Sequence, residues 1–263
     1  MNRAEETEIH KEIQANAFFH DFLLFLEEAR RDPFRLTESG NLRLGDIHYL
    51  GEHFHLNIIR RYIYGEKGEY IRSEKNVPLL RRIHLHTCHM GLTETGSNKR
   101  KLLLSQSGKA FLETLSVQAQ FEQMILWYLK RYTWADWYSW CSRVASILQR
   151  EQHFIWSYFL SRQNSRIGFG QFLSGLREYF RLDERVHDPL VYDTIHAAVK
   201  RMLVQDLGMF GLLTVESVGS QDLMDEETIY SFQPSTLGVH IFTLALADST
   251  PMQTKRKGES PVS

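Results

Sequence analysis

The stretch "RRIHLHTCHMGLTETGSNKRKLLLSQSG", Arg81 to Gly108, decides the fold that we predict for this chain. It begins inside a helix that Pro78 is well placed to open, because proline lacks the N–H that the first turn of a helix leaves unpaired. After Gly91 the pattern changes to two short apolar runs around Gly96-Ser97-Asn98, which is typical of a β-hairpin. The sequence therefore predicts a helix from Leu79 to Met90 that is followed directly by a hairpin.

The same order of elements recurs in the second half of the chain. A predicted helix from about Pro189 to Leu207 is followed by a glycine, the strand "GLLTVE", an acidic turn and the strand "TIYSFQP". Both hairpins end in the pattern Ser-x-x-Gly, at Ser105 to Gly108 and at Ser235 to Gly238. An internal repeat of this kind indicates two similar supersecondary units.

A helix followed by a two-stranded hairpin, with shorter helices ahead of it, is the plan of a winged helix. We therefore expect a mainly α protein with small β-hairpin wings, arranged as two tandem winged-helix-like units. The first unit, with an N-terminal helix and an aromatic helix from Phe121 to Cys141, spans residues 1–142, and the second spans residues 143–247. Residues 248–263 are polar and rich in Ser, Pro and Lys, which predicts a disordered tail.

The segments "FRLTESGNLRLGDIHYLGEHF" and "PLLRRIHLHTCHMGL…KLLLSQSGKAFL" resemble tandem winged-helix segments of XPB-like helicase N-terminal regions and of plasmid pRiA4b ORF-3-like proteins. The matching features are the turn from Leu36 to Leu42, the Gly91-Leu92 entry to the hairpin and the Ser105-x-x-Gly108 exit. "LGMFGLLTVE…YSFQPSTLG" resembles a second such unit, so the resemblance covers residues 34–246. It implies a winged-helix fold, and because winged helices bind either DNA or proteins it does not fix the function.

Basic residues are concentrated in the first unit. The whole chain has a formal net charge of −1, whereas residues 60–109 hold 11 Lys and Arg against 4 Asp and Glu. In a DNA-reading winged helix, the helix before the wing enters the major groove and the wing approaches the phosphates. We therefore predict double-stranded DNA as the partner, with five contact residues: Arg81 and Arg82 on the helix, and Lys99, Arg100 and Lys101 on the wing.

The alternative is a protein-protein interaction or scaffold module with no nucleic-acid binding. Its contact surfaces would be the tryptophan-rich helix and the acidic second wing, where Asp222, Asp225, Glu226 and Glu227 would repel a phosphate backbone. The aromatic residues from Trp134 to Cys141 fall at helical spacing, so we expect them to pack in the core and to join the two halves. No hydrolase, metalloprotease or Rossmann motif is present, and we expect no catalytic activity and no cofactor.

His84, His86, Cys88 and His89 raise the question of a metal site. On a helix, the pairs His84–Cys88 and His86–His89 diverge by roughly 160°, so the four side chains cannot converge on one ion. We therefore predict no metal site, with Cys88 partly in the core and the histidines at its margin or pointing to solvent. A metal site formed by His84, Cys88 and ligands from elsewhere is the weaker alternative.

The sequence also favours a cytoplasmic location. The two cysteines, Cys88 and Cys141, are too few for a disulfide framework, which fits a reducing compartment. The N-terminal segment is too polar and too acidic for a signal or transit peptide. No apolar run approaches the ~20 residues that span a bilayer, so we expect no membrane partner.

Overall fold

The turn at Gly91 separates a helix from a hairpin in the computed structural model of the chain, as the sequence predicts. The structure describes residues 3–56, 71–185, 191–218 and 228–247. Within these ranges the protein is mainly helical and carries two small three-stranded antiparallel sheets, which confirms this part of the predicted fold class. No helix of the described ranges combines the length and the apolar character that a bilayer span requires.

The elements of the first half surround one hairpin, and they run in the order α1 (Arg3–Gln14), α2 (Ala17–Arg31), β1 (Phe34–Arg35), α3 (Leu44–His53), a 3-10 turn (Glu74–Asn76), α4 (Pro78–His89), β2 (Thr93–Thr95), β3 (Lys101–Leu104), α5 (Gln106–Thr114) and α6 (Val117–Lys130). The segment between the halves contains α7 (Trp134–Trp137), a 3-10 turn (Ser139–Cys141), α8 (Ser142–Arg150) and α9 (Gln152–Ser161). The second half contains β4 (Ile167–Gly168), α10 (Phe169–Phe180), α11 (Leu182–Arg185), α12 (Val191–Val199), a π-helical segment (Lys200–Gln205), α13 (Asp206–Met209), β5 (Leu213–Val218), β6 (Thr228–Pro234) and α14 (Thr236–Ala247).

Both sheets are built to the same plan. In the first sheet β3 lies between β1 and β2, and in the second sheet β6 lies between β4 and β5. The first hairpin pairs Thr93 with Leu104, and the second pairs Leu213 with Pro234. The two predicted hairpins are therefore present, whereas the acidic turn predicted at residues 222–227 lies outside the described residues.

A glycine in the left-handed region ends the helix before each hairpin. The φ angle is 70° at Gly91 and 73° at Gly211, a conformation that other residues adopt only at a steric cost. In each case the next amide donates to a helix carbonyl five residues earlier, at 2.9 Å in the first half and 2.8 Å in the second. The chain therefore leaves both helices through the same turn.

The two Ser-x-x-Gly exits also share one geometry. Ser105 and Ser235 accept the amide hydrogen of the glycine three residues on, at 3.0 and 2.9 Å, and so cap the N-termini of α5 and α14. Each serine hydroxyl donates to the carbonyl of the left-handed glycine before its hairpin, at 2.6 and 2.7 Å. A Cβ atom at Gly108 or Gly238 would lie 2.2 or 2.0 Å from a carbonyl oxygen, so glycine alone fits there.

Several predicted helices are divided by capping residues. The N-terminal helix that we predict is divided at Asn16, whose side chain caps α2. The apolar pattern of residues 108–129 also covers two helices, α5 and α6, which are divided at Ser116, the residue that caps α6. The aromatic helix predicted from Phe121 to Cys141 ends with α6, and a short helix and a 3-10 turn follow. The apolar periodicity continues across these breaks and therefore does not reveal them.

The buried apolar side chains form one cluster that extends through both halves of the chain. Ile13 of α1 and Phe242 of α14 are both fully buried, and these two helices pack against each other. The carboxylate of Glu12 accepts the Leu237 amide at 2.6 Å, at the start of α14. The cluster therefore crosses the boundary that we predict at residue 143.

Candidate nucleic-acid interface

The hairpin of β2 and β3 ends in an exposed basic tip. Lys99, Arg100 and Lys101 are all exposed, and none of them makes an ion pair with another described residue; we call these three residues the basic wing. The carbonyl of Gly96 accepts the Lys99 amide at 2.8 Å, and the Gly96 amide donates to the Lys101 carbonyl at 2.9 Å. The Asn98 side chain accepts the Arg100 amide at 3.0 Å. The three cations are therefore carried by a turn that hydrogen bonds hold in place.

Two arginines ahead of α3 extend this positive charge. β1 pairs Arg35 with Lys101, so that the two side chains share the outer face of the sheet. Arg43 lies beside them, because its amide donates to the Arg35 carbonyl at 2.9 Å, and its side chain is exposed. Asp46, 3.6 Å from the Arg35 guanidinium, neutralises part of this charge. The sequence prediction misses both arginines, although the alternation Phe34-Arg35-Leu36 indicates that Arg35 points outward.

Arg82 lies inside the protein and not at this surface. Its side chain is 7% exposed, and Nη1 lies 2.6 Å from Oδ1 of Asp206 on α13. The guanidinium also lies over the ring of Trp137, 5.1 Å from its centroid. The predicted contact between Arg82 and DNA bases is incompatible with this packing, because the side chain is already enclosed and paired. Arg82 is therefore not available for the predicted contact.

Asp206 is the centre of a buried group of charges. Burial by itself would raise the pKa of Asp206, but the positive charges of Arg82 and Arg201 outweigh this effect and lower it. Burial would lower the pKa of Arg82, and the charge of Asp206 raises it above its usual value. The hydroxyl of Tyr138 donates to Asp206 and lies 2.7 Å from the hydroxyl of Tyr128. Asp206 therefore stays ionised and links α4 to the second half of the chain.

Most of α4 is covered by the rest of the protein. Seven of its 12 residues are buried, and the more accessible ones form a narrow stripe of Arg81, Leu85, Cys88 and His89. Arg81, the other predicted base contact, is half-buried in this stripe. In the second half, residues 202–207 ahead of β5 are likewise all buried, whereas Tyr192 and Asp193 at the start of α12 are exposed. A helix that reads bases must present an open face to the major groove, and neither α4 nor the segment of residues 202–207 does.

The histidines of α4 are more buried than we predict from the sequence. His86 is enclosed by aromatic rings, and burial lowers its pKa to about 4, so that the neutral ring donates Nε2–H to the Met124 carbonyl at 3.1 Å. His84 is also buried, with Nδ1 2.7 Å from Oε1 of Glu74. The prediction of a position at the margin or in solvent is therefore wrong for His84 and His86, whereas His89 is exposed.

The same residues bear on the weaker metal alternative. Across the ranges that the structure describes, no group of three or more His, Cys, Asp or Glu side chains is placed to hold a metal ion. Nδ1 of His84 is directed at Glu74 and not at an open position. His84 and His86 therefore act as hydrogen-bonding core residues.

The aromatic residues after α6 belong mainly to the core, which confirms the prediction for them. Trp134, Tyr138 and Cys141 are buried. Tyr138 contacts Asp206, so this segment joins the two halves of the chain. Trp140 differs from its neighbours because it is 55% exposed. It is the part of the segment that a partner protein could reach.

Of the five predicted contact residues, the structure brings the three of the basic wing together on the surface, leaves Arg81 half-buried and encloses Arg82. With Arg35 and Arg43, the basic wing forms a surface that can attract an anionic polymer. Comparison with models of protein families, with curated proteins and with solved structures finds no match for this chain.

Proposed function

We propose that the chain is a non-catalytic, cytoplasmic DNA-binding protein, with a regulatory role, that contacts double-stranded DNA through the basic wing. The observation that carries the proposal is the exposure of Lys99, Arg100 and Lys101 at a hairpin tip, with no acidic partner among the described residues. Such cations gain phosphate contacts on binding and release the counterions of the duplex, which favours association.

The proposal includes two winged-helix-like units, and the order of the elements supports this part of it. Each hairpin follows a helix, and its second strand also pairs with a short strand from ahead of that helix. The left-handed glycine and the Ser-x-x-Gly cap recur with the same hydrogen bonds in both halves. We infer that the halves are two copies of one supersecondary plan.

The covered faces of α4 and of the π-helical segment determine the expected mode of binding. Because neither helix presents an open face, the contacts that remain are those of the basic wing, Arg35 and Arg43 to the phosphate backbone. Phosphate contacts carry no sequence information. We therefore propose binding that differs little between duplexes of different sequence.

Fluorescence anisotropy with a random-sequence duplex over a series of salt concentrations tests the proposal. If the basic wing, Arg35 and Arg43 contact about five phosphates, the logarithm of the affinity should fall with the logarithm of salt with a slope of about −4.5. The triple variant K99Q/R100Q/K101Q should bind more weakly, with a slope that is less steep by about 2.7.

A matched control removes the same charge elsewhere. The control uses three exposed arginines: Arg131 at the end of α6, Arg143 in α8 and Arg162 at the end of α9. Their side chains make no ion pair with another described residue. The variant R131Q/R143Q/R162Q should therefore retain most of the affinity. Absence of binding at low salt, or equal losses in the two triple variants, would contradict a role of the basic wing.

The second candidate function is a protein-protein interaction module. Two observations favour it: α4 and residues 202–207, which precede the two hairpins, are largely covered, and Trp140 is exposed beside a largely buried aromatic segment. The second unit, with its acidic hairpin, would then be the other contact surface. A chain that does not bind the duplex at low salt supports this candidate over the first.

A further inference from the structure

The carboxylate of Glu74 joins two parts of the first half that are far apart in the sequence. Its Oε1 lies 2.7 Å from Nδ1 of His84 on α4, and its Oε2 accepts the Leu42 amide at 2.6 Å. An ionised carboxylate accepts hydrogen bonds and donates none, so His84 is the donor. All three residues are buried. Glu74 therefore fixes the backbone at Leu42 against α4.

The backbone that carries this carboxylate is held by a turn of its own. Glu74 begins a 3-10 turn, and its carbonyl accepts the Val77 amide at 2.9 Å, just ahead of α4. The Asn76 side chain accepts the Ser73 amide at 3.1 Å and so closes the turn. The carboxylate is therefore presented from a backbone that is fixed relative to α4.

Leu42 lies directly beside the cations of the proposed interface. The next residue, Arg43, is exposed at the start of α3, and its amide donates to the Arg35 carbonyl at 2.9 Å. Leu42 also pairs with Leu36, whose amide donates to the Arg100 carbonyl at 2.8 Å. A short series of backbone contacts therefore connects the buried carboxylate to the exposed cations.

The placement of Arg43 depends on the backbone and not on its own side chain. Arg43 is the N-cap residue of α3, and its side chain makes no capping hydrogen bond. Its carbonyl accepts the Ile47 amide at 3.0 Å. The amide of Leu42 is buried, and a buried amide without an acceptor carries a free-energy cost that a shift of the chain towards water relieves. Such a shift at Leu42 displaces the adjacent Arg43.

We propose that Glu74 is a positioning residue of the DNA interface, which holds Arg43 in place against the phosphate backbone without contacting DNA itself. The inference rests on the proposed function, because it requires that Arg43 contacts a phosphate. A cation on a fixed backbone loses less conformational freedom on binding and therefore contributes more affinity. The pair of Glu74 and His84 is buried, so it acts on the interface only through the chain at Leu42.

The test measures binding of the full-length chain to a random-sequence duplex by anisotropy over a series of salt concentrations. Glu74→Ala removes the acceptor of the Leu42 amide. Its salt slope should change from about −4.5 to about −3.6, and its affinity at about 0.1 M salt should fall roughly eightfold, as for the loss of one phosphate contact. A loss of stability alone does not change how many phosphates the folded protein contacts, so the slope separates positioning from a purely structural role.

A double variant tests whether Glu74 acts through Arg43. Arg43→Gln should give the same slope as Glu74→Ala, and E74A/R43Q should bind no more weakly than Arg43→Gln alone. His86→Gln, which alters the core of the same helix on the side of α6, should keep a slope of about −4.5. A wild-type slope in folded Glu74→Ala, or additive losses in the double variant, would overturn the inference.

A second variant applies if Glu74→Ala does not fold, which far-UV circular dichroism establishes. E74M/H84L replaces the buried pair by apolar side chains, a change that often preserves stability, and it also removes the acceptor of the Leu42 amide. It should show the same reduced slope. A wild type that does not bind the duplex at low salt overturns the proposed function, and this inference with it. A wild type that binds with the full slope, together with folded variants that retain it, overturns the inference alone.

Discussion

The guanidinium of Arg82 and the carboxylate of Asp206 form a buried ion pair of 2.6 Å between α4 and α13. Each of these helices leads into one of the two hairpins. A buried ion pair adds little stability compared with a well-packed apolar pair, but removal of one partner leaves a charge that water cannot reach. The pair therefore matters for how the two halves pack against each other.

Replacement of Arg82 by Met should lower the free energy of unfolding by about 3 kcal/mol, because Asp206 loses its nearest cation. Arg201, whose Nε lies 3.4 Å from the same carboxylate, limits the loss. Urea denaturation followed by circular dichroism measures the change. Arg81→Met on the half-buried stripe of α4 is the control and should cost about 0.5 kcal/mol or less. Similar losses in both variants would show that the ion pair has no special part in stability.

Replacement of Gly108 by Ala should destabilise the protein by about 3 kcal/mol, because the new Cβ would lie 2.2 Å from the Leu92 carbonyl oxygen. Gly238→Ala should have a similar effect, since its Cβ would lie 2.0 Å from the equivalent oxygen. Gly170, in the first turn of α10, has no heavy atom within 4 Å of such a Cβ, so Gly170→Ala should gain about 0.5 kcal/mol. Thermal and urea unfolding of the three variants measure these differences. An unchanged free energy of unfolding in Gly108→Ala would mean that the close contact at Gly108 does not contribute to stability.

His86 should make the protein less stable as the pH falls. Its pKa in the folded chain is lowered to about 4 by burial, against 6.5 for the free side chain. Between these values the unfolded chain takes up a proton that the folded chain excludes, so stability decreases as the pH falls from 6.5 to 4 and is unaffected above 6.5.

Carboxylates also change the stability of the protein in part of this pH range. The contribution of His86 is therefore measured as the difference between the wild type and a variant that lacks the imidazole. His86→Gln retains a donor for the Met124 carbonyl and does not titrate. Its free energy of unfolding should therefore fall less than that of the wild type between pH 6.5 and 4, and the difference should be on the order of 3 kcal/mol. His89→Gln at the exposed end of α4 should follow the wild type. Urea midpoints at a series of pH values give the comparison, and parallel curves for wild type and His86→Gln would refute the prediction.

The features that the sequence predicts correctly depend on residues that act close by in the chain. Pro78 opens α4, and Gly91 ends it because the turn requires a positive φ angle. Ser105 caps α5 by accepting the amide hydrogen of Gly108, three residues further on. Each of these effects involves one residue type and the backbone next to it, so the residue type alone indicates the structure.

The features that the sequence does not show depend on partners far along the chain. Arg82 and Arg81 are adjacent in a basic run, yet only Arg82 meets a buried carboxylate, and that carboxylate belongs to the other half. The burial of His86 depends on the rings of α6, and nothing in the spacing of the histidines indicates it. Asn16 divides a continuous apolar pattern because its amide also donates to the Met209 carbonyl, at 3.2 Å. Periodicity describes one face of one element and contains no information on which element will cover it.

The hydrogen bond between Glu12 and the Leu237 amide joins positions that are 225 residues apart. A ribosome that adds roughly 5–20 residues per second needs about 10–45 s to synthesise that interval. During this time the apolar face of α1 has no α14 to cover it. We therefore expect nascent chains that stall before Leu237 to be captured by chaperones or degraded, because α1 leaves the ribosome long before the helix that covers it.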